Sequence, residues 1–174
     1  TGVDVSGSEG TNVSDTTASG NDITGGKVVD ASNSTGSDIS GTDMSGNNMT
    51  DSTGVDVSGS EGSSVSNTTA SDNDINGGTV VDASGSNGTD ISGTDLSGNN
   101  MTDSTGVDVS GSEGTNVSDT TASGNDINGG KVVDASNSTG SDISGTDMSG
   151  NNMTDSTGVD VSGSEGFGGS TSRD

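Results

Sequence analysis

The decapeptide TGVDVSGSEG begins at residues 1, 53, 105 and 157, so the chain repeats itself every 52 residues. A looser repeat halves that period. Val3-Asp4-Val5-Ser6-Gly7-Ser8 aligns with Val29-Asp30-Ala31-Ser32-Asn33-Ser34, and Asn21-Asp22-Ile23-Thr24 with Asn47-Asn48-Met49-Thr50, both at an offset of 26. The 174 residues divide into six full units, starting at 1, 27, 53, 79, 105 and 131, and a seventh that breaks off after Gly166. A fixed period in this range marks stacked units that cannot bury an apolar face alone. Helical units do not fit. Gly, Ser, Thr, Asp and Asn dominate, and the apolar residues Val3, Val5, Val13, Ala18 and Ile23 are spaced 2, 8, 5 and 5 apart, not 3 and 4. Stacked strands would place equivalent residues in continuous apolar columns. The expected fold is therefore all-β: a β-solenoid of about seven stacked 26-residue coils over 1–166, with a 52-residue super-repeat. Residues 167–174, opening on Phe167, are expected to form a non-repeat cap or connector.

The columns support stacking. Counting positions from the start of each unit, position two reads Gly2, Val28, Gly54, Val80, Gly106, Val132; position five reads Val5, Ala31, Val57, Ala83, Val109, Ala135. Position eighteen reads Ala18, Met44, Ala70, Leu96, Ala122, Met148. Large beside small in successive layers fills a narrow interior without voids. Acids alternate as well. Glu9, Glu61 and Glu113 are separated by Thr35 and Asn87 in their column, and Asp38, Asp90 and Asp142 by Ser64 and Asn116 in theirs. Like charges one strand spacing apart repel by about 1 kcal/mol even in water, so the dilution is favourable in a stack. It has no purpose in the alternative, an acidic disordered spacer, which 21% hydrophobic content and a net charge of −24 would otherwise suggest. Two columns never vary. Asn21, Asn47, Asn73, Asn99, Asn125 and Asn151 are expected to hydrogen-bond along the stack and to suit left-handed turns. Gly10 and its equivalents suit a corner with positive φ.

Charge and composition also bound function. Lys27, Lys131 and Arg173 are the only cations, so no basic groove for nucleic acid or an anionic membrane can form. No apolar run is long enough for membrane insertion. Cys and His are absent, which removes thiol nucleophiles, disulfides and the usual general base. No unique constellation interrupts the repeat, so an enzyme is not expected. The expectation is a non-enzymatic structural protein: an extracellular or cell-surface fibre segment, self-associating into filaments through the solenoid ends, where strand edges would be unpaired.

The quintets SDISG at Ser37–Gly41, TDMSG at Thr42–Gly46 and TDLSG at Thr94–Gly98 resemble the A(D/N)Lxx unit of pentapeptide-repeat proteins. That resemblance implies a β-helix, and in that family a right-handed quadrilateral one with a shorter coil than 26 residues. Together with the acidity it also implies an alternative function, a DNA mimic. The composition equally resembles the repetitive stalks of bacterial surface adhesins and fibres.

Three candidate sites follow from the columns. Ser14-x-Thr16 recurs in every full unit and resembles the T-x-T ranks of solenoid antifreeze proteins, which makes ice binding another alternative. N-x-S/T sequons at Asn12, Asn33, Asn48, Asn67, Asn87, Asn100, Asn116, Asn137 and Asn152 are candidate glycan acceptors. One acidic column does not alternate: Asp4, Asp30, Asp56, Asp82, Asp108, Asp134 and Asp160, each followed two residues on by a serine. Something must offset seven stacked carboxylates. No cofactor is required, but Ca²⁺, a hard cation that prefers oxygen ligands, is the candidate for a ladder along this column. The competing expectation is that each Asp accepts hydrogen bonds from its serine or from backbone N–H groups and is screened by salt.

Overall fold

A computed structural model describes residues 2–166 and 168–172. The chain is an all-β solenoid built of three parallel sheets, with no helix among the described residues. Each coil places one strand at positions one to four, as in Lys27–Asp30, one at twelve to fourteen, as in Asp38–Ser40, and one at twenty-two to twenty-four, as in Asn48–Thr50. The first two sheets hold seven strands and the third holds six. Register advances by one unit, Val29 lying between Val3 and Val55, Ile39 between Val13 and Val65, and Met49 between Ile23 and Ile75, and shifts by one residue in the last pair of the second sheet, where Thr146 faces Thr171. Single parallel bridges at positions nine and seventeen, such as Glu61↔Asn87 and Thr69↔Asp95, tie the coils together between the sheets. Gly168–Ser172 adds the last strand of the second sheet against Asp142–Asp147. Phe167, Arg173 and Asp174, on which the expected cap or connector also rests, lie outside the described residues.

The alternating columns face inward, as their pattern requires. Met44, Ala70, Leu96 and Ala122 are at most 1% exposed, and Ala31, Val57, Ala83, Val109 and Ala135 are fully buried. The structure adds the reason why large and small alternate. The bulky residue at position eighteen leans across the interior onto the glycine at position two of the next coil. A Cβ on Gly54 would lie 2.7 Å from Met44 Sδ and Cε, one on Gly106 2.8 Å from Leu96 Cδ1, and one on Gly158 3.1 Å from Met148 Sδ. Coils therefore come in two kinds, a small one with Gly and Ala at these two positions and a large one with Val and Met or Leu. Each fills the other, so the physical period is two coils.

The corners follow a second rule, one that was not expected. Every non-glycine residue with positive φ among those described is Asp or Asn: Asp15, Asn33, Asp51, Asn67, Asp72, Asp103, Asp119, Asn137 and Asp155. Short polar side chains tolerate this conformation best after glycine. In the next coil up, the equivalent residue is glycine in each case where the unit continues, as at Gly41, Gly59, Gly77, Gly93 and Gly98. The carboxyl or amide group folds over that glycine: a Cβ there would stand 2.6 Å from Asp51 Oδ1 at Gly77 and 2.6 Å from Asp72 Oδ1 at Gly98. The Gly10 column is left-handed as expected, with φ near 63° at Gly10 and Gly36. The Asn21 column is not. Its residues are absent from the left-handed set, and their amides act inside the stack instead.

Three inward polar columns are satisfied by backbone carbonyls of the coil before. Ser86 Oγ donates to Val57 O at 2.9 Å, Ser104 Oγ to Ile75 O at 3.0 Å, and Asn99 Nδ2 to Ala70 O at 2.8 Å. Two others are not. Ser37, Ser63, Thr89, Thr115 and Ser141 at position eleven, and Thr42, Thr68, Thr94, Thr120 and Thr146 at position sixteen, have buried hydroxyls with no protein hydrogen-bond partner. An unpartnered buried hydroxyl costs about 1–3 kcal/mol.

Candidate functional site: the aspartate column and its neighbours

Position four closes each first strand just before the chain turns, so its carboxylate stands at a corner. The seven aspartates stack in register, Asp82 lying between Asp56 and Asp108. At each, Oδ1 accepts the backbone N–H of the serine two residues on: 3.1 Å from Ser6 to Asp4, 2.8 Å from Ser58 to Asp56, 2.8 Å from Ser110 to Asp108. Several serine hydroxyls donate to the same oxygen, including Ser32 to Asp30 and Ser84 to Asp82, both at 2.7 Å. This local bond takes the serine N–H out of the sheet ladder and caps the turn. The position-five carbonyl beside it is reached by the position-eight serine of the next coil, as when Ser60 Oγ donates to Ala31 O at 3.1 Å. The column is first of all a corner brace, made by Asp and two serines.

The second oxygen, Oδ2, distinguishes the coils. Lys27 Nζ donates to Asp30 Oδ2 at 2.9 Å and also contacts Asp56 Oδ2 in the next coil. Lys131 repeats the clamp, 2.6 Å from Asp134 Oδ2 and 2.7 Å from Asp160 Oδ2. Each lysine stands in the large coil and ties it to the small coil above. The unit between has Thr79 where the lysine would be, so Asp82 and Asp108 have no such ammonium.

The proton affinities follow this pattern. The Lys131 ammonium, with the Ser162 donors, lowers Asp160 to about 2. Burial pushes Asp30 and Asp134 up, but the donors from serine and lysine outweigh it and hold both below the usual carboxylate value. Asp4 is lowered by the Ser6 hydroxyl and N–H. Asp82 is raised: burial dominates over its two bonds from Ser84, and the carboxylates of Asp56 and Asp108 add to the rise. The column is thus neutralised by lysine near both ends and bears its repulsion in the middle. Among the described residues no three Asp or Glu side chains converge as a metal cage.

The other candidates are placed as follows. The sequon asparagines Asn12, Asn33, Asn48, Asn67, Asn87, Asn100, Asn137 and Asn152 are exposed and Asn116 is half-buried. Asn33, Asn67 and Asn137 occupy left-handed corners, while Asn100, Asn116 and Asn152 lie in strands and donate to the aspartate below them, at 3.3, 3.2 and 3.1 Å. The Ser14-x-Thr16 rank is corrected. Its threonines turn inward, at most 1% exposed from Thr42 to Thr146, and its middle residue is a left-handed corner. A bend of this kind cannot present a flat outer rank to ice. The invariant asparagine column works inside. Asn99 Oδ1 accepts from Asn73 N at 2.8 Å and from Asn73 Nδ2 at 3.1 Å, while its own Nδ2 donates to Leu96 O at 2.6 Å.

With the geometry in hand, comparison with known proteins places the fold. The chain is similar to the A-module of the mannuronan C-5 epimerase AlgE6 from Azotobacter vinelandii, with TM-score 0.52 and 14% identity over 93% of this chain and 58% of that one. The corresponding module of AlgE4 from the same organism gives TM-score 0.49 and 14% identity, over 94% and 56%. The chain thus spans less than two thirds of either module. The fluoroquinolone-resistance protein QnrB1 aligns with TM-score 0.22 and 13% identity, over 100% of this chain and 92% of that one. No family model and no curated protein sequence matches the chain. It is weakly similar to repeat β-helix proteins, and at these identities the likeness concerns the fold alone.

Proposed function

We propose that this chain is a non-enzymatic structural module, a rigid solenoid length of an extracellular or cell-surface fibre or adhesin stalk. The observation that carries the reading is where the chemistry-bearing side chains are spent. Asp–Ser braces, Lys–Asp clamps and the asparagine column each join one coil to itself or to the next. The braces and the asparagines recur coil after coil and the clamps stand at two separate steps, instead of converging on one place. Coil-on-coil pairing is also open-ended, since each coil is held only by the coils above and below. The same interface would serve self-association into filaments; the units 1–26 and 157–166 are both of the small kind, so a direct end-to-end contact would set Gly158 against Gly2 without the usual alternation.

Electron microscopy and sedimentation velocity across a concentration series test this. Rods rising about 4.8 Å per coil, lengthening with concentration, are expected. A strictly monomeric particle at high concentration would count against the fibre. Incubation with mannuronan is expected to leave the polymer unchanged, and epimerised product would replace the structural reading with a catalytic one. Two accessories belong to the same proposal. Exposed sequon asparagines are the sites for glycan, read by intact mass before and after an amidase that removes N-linked sugar. Ca²⁺ is the cation for the aspartate column, and the step favoured is Asp82–Asp108, where no lysine stands. Melts in EDTA and in millimolar Ca²⁺ decide it, and an unmoved midpoint removes calcium.

A further inference from the structure

We propose that Asn87–Gly88 is a site of spontaneous deamidation, gated by the step between neighbouring coils, and that its product weakens the same step. Asn-Gly pairs occur at Asn76–Gly77, Asn87–Gly88 and Asn128–Gly129, and all three asparagines are exposed. Glycine after asparagine favours the reaction, because it has no Cβ to hinder the backbone. The glycine nitrogen attacks Cγ of the asparagine, and its proton leaves with the amide group as ammonia. Water then opens the five-membered succinimide at one of its two carbonyls. The product is aspartate, or isoaspartate, whose main chain is longer by one methylene. Water is the sole co-reactant.

In the folded chain each attacking nitrogen is engaged with the coil above. Gly77 N donates to Thr102 O at 2.9 Å, Gly88 N to Glu113 O at 2.8 Å and Gly129 N to Thr154 O at 2.9 Å. Ring closure needs that bond broken, so the reaction follows local separation of two coils. What sets Asn87 apart is its column. It is bridged in parallel to Glu61 on one side and to Glu113 on the other, and is the neutral residue between them. Conversion to aspartate leaves carboxylates in three consecutive coils, about 4.8 Å apart. Asn76 pairs with Thr50 and Thr102, and Asn128 with Thr102 and Thr154, so a charge at either meets no acid in its own column. Repulsion at position nine loosens the unit 79–104 from the units on both sides. Gly77 is held by Thr102 of that unit and is freed with it, whereas Gly129 is held by Thr154 across a different step.

Peptide mapping by mass spectrometry at mildly alkaline pH follows each asparagine in the full chain, made in a host that adds no N-linked sugar. Asn87 is expected to deamidate about tenfold or more slowly in the chain than in a free peptide of residues 84–90. N87D should melt lower than N87T, by roughly 2–4 °C per repelling pair at low ionic strength, and salt should narrow the gap. Threonine is the reference because position nine already carries it at Thr35 and Thr139. Asn76 should deamidate faster in N87D than in N87T, with the Asn128 rate unchanged. Equal rates for Asn87 in chain and peptide overturn the gate. No product at Asn87 in a chain held near its melting midpoint, over the time in which the peptide is fully converted, removes the site. An N87D chain that melts with N87T, or that leaves the Asn76 rate unmoved, overturns the weakening of the step.

Discussion

At the residue scale, the asparagine column joins neighbouring coils through both its amide oxygen and its amide nitrogen. Asn99 alone serves Asn73 N–H, Leu96 O and Ala70 O while buried. Asn99→Ala leaves these groups unpartnered in a dry interior, at about 1–3 kcal/mol each, so a loss of about 3 kcal/mol or more is expected by urea denaturation. Asn21 is exposed, so Asn21→Ala should cost much less. Equal effects at the two sites would show that burial of the amide is not what matters. The column's invariance was legible in the sequence, and so was its bonding along the stack. Its backbone conformation was not, because an asparagine that favours left-handed turns and one that bridges coils look alike in one dimension. The Asp and Asn residues that do turn left-handed, such as Asp51 and Asp72, could have been found by their pairing with Gly77 and Gly98 one unit later.

At the scale of the coil, two pairings across layers can be tested. Gly54→Ala would push a Cβ to 2.5 Å from Val80 O and into Met44, and a loss of about 1–3 kcal/mol is expected. Part of it should be shared with Met44→Ala, so a double-mutant cycle should give a non-zero coupling, and strict additivity would break the supposed contact. The second pairing is the missing clamp. Thr79→Lys should place an ammonium between Asp82 and Asp108, as Lys27 does for Asp30 and Asp56. In the parent protein Asp82 has a raised folded pKa against 3.8, so the fold binds this proton more tightly and loses stability as pH rises above that value. With the lysine present the sign reverses: the folded pKa falls, and stability is gained above 3.8 and lost as pH falls through the lowered value. Melts at pH 7 should therefore show Thr79→Lys the more stable, by up to about 1 kcal/mol for a half-exposed pair, with the gain disappearing in acid. An equal gain at both pH values would mean the lysine acts by packing. The alternation of large and small residues was readable because stacking makes volume a property of columns. The inward turn of the Ser-x-Thr rank was not. Inside–outside alternation of period two fails across a corner: on either side of the left-handed Asn67, Ser66 is half-buried and Thr68 fully buried.

At the scale of the whole molecule, the solenoid is a one-dimensional array, with stability set by coils and by the interfaces between neighbours. The two kinds of coil give that array a parity. Removing residues 53–104, one complete double unit, joins the large coil ending at Ser52 to the small coil beginning at Thr105, and every column keeps its alternation. Lys27 would then meet Asp108 where it now meets Asp56. Removing only 79–104 takes out a single unit of half that length but sets small coil on small coil. Gly54 would face Gly106 with no Leu96 to fill the space, Ala70 would face Ala122, and Glu61 would face Glu113. Each like-charged pair costs about 1 kcal/mol in water, and the unfilled interior adds a cavity penalty of several kcal/mol for a lost leucine-sized side chain. The shorter deletion should therefore be the more damaging one. The protein lacking 53–104 should melt in one transition near the parent. The protein lacking only 79–104 should melt lower, with hydrogen exchange fastest at the new junction and near-normal in the coils away from it. If the two deletions rank by the number of residues removed, coil parity has no energetic meaning and the 52-residue period is only a record of how the sequence was duplicated.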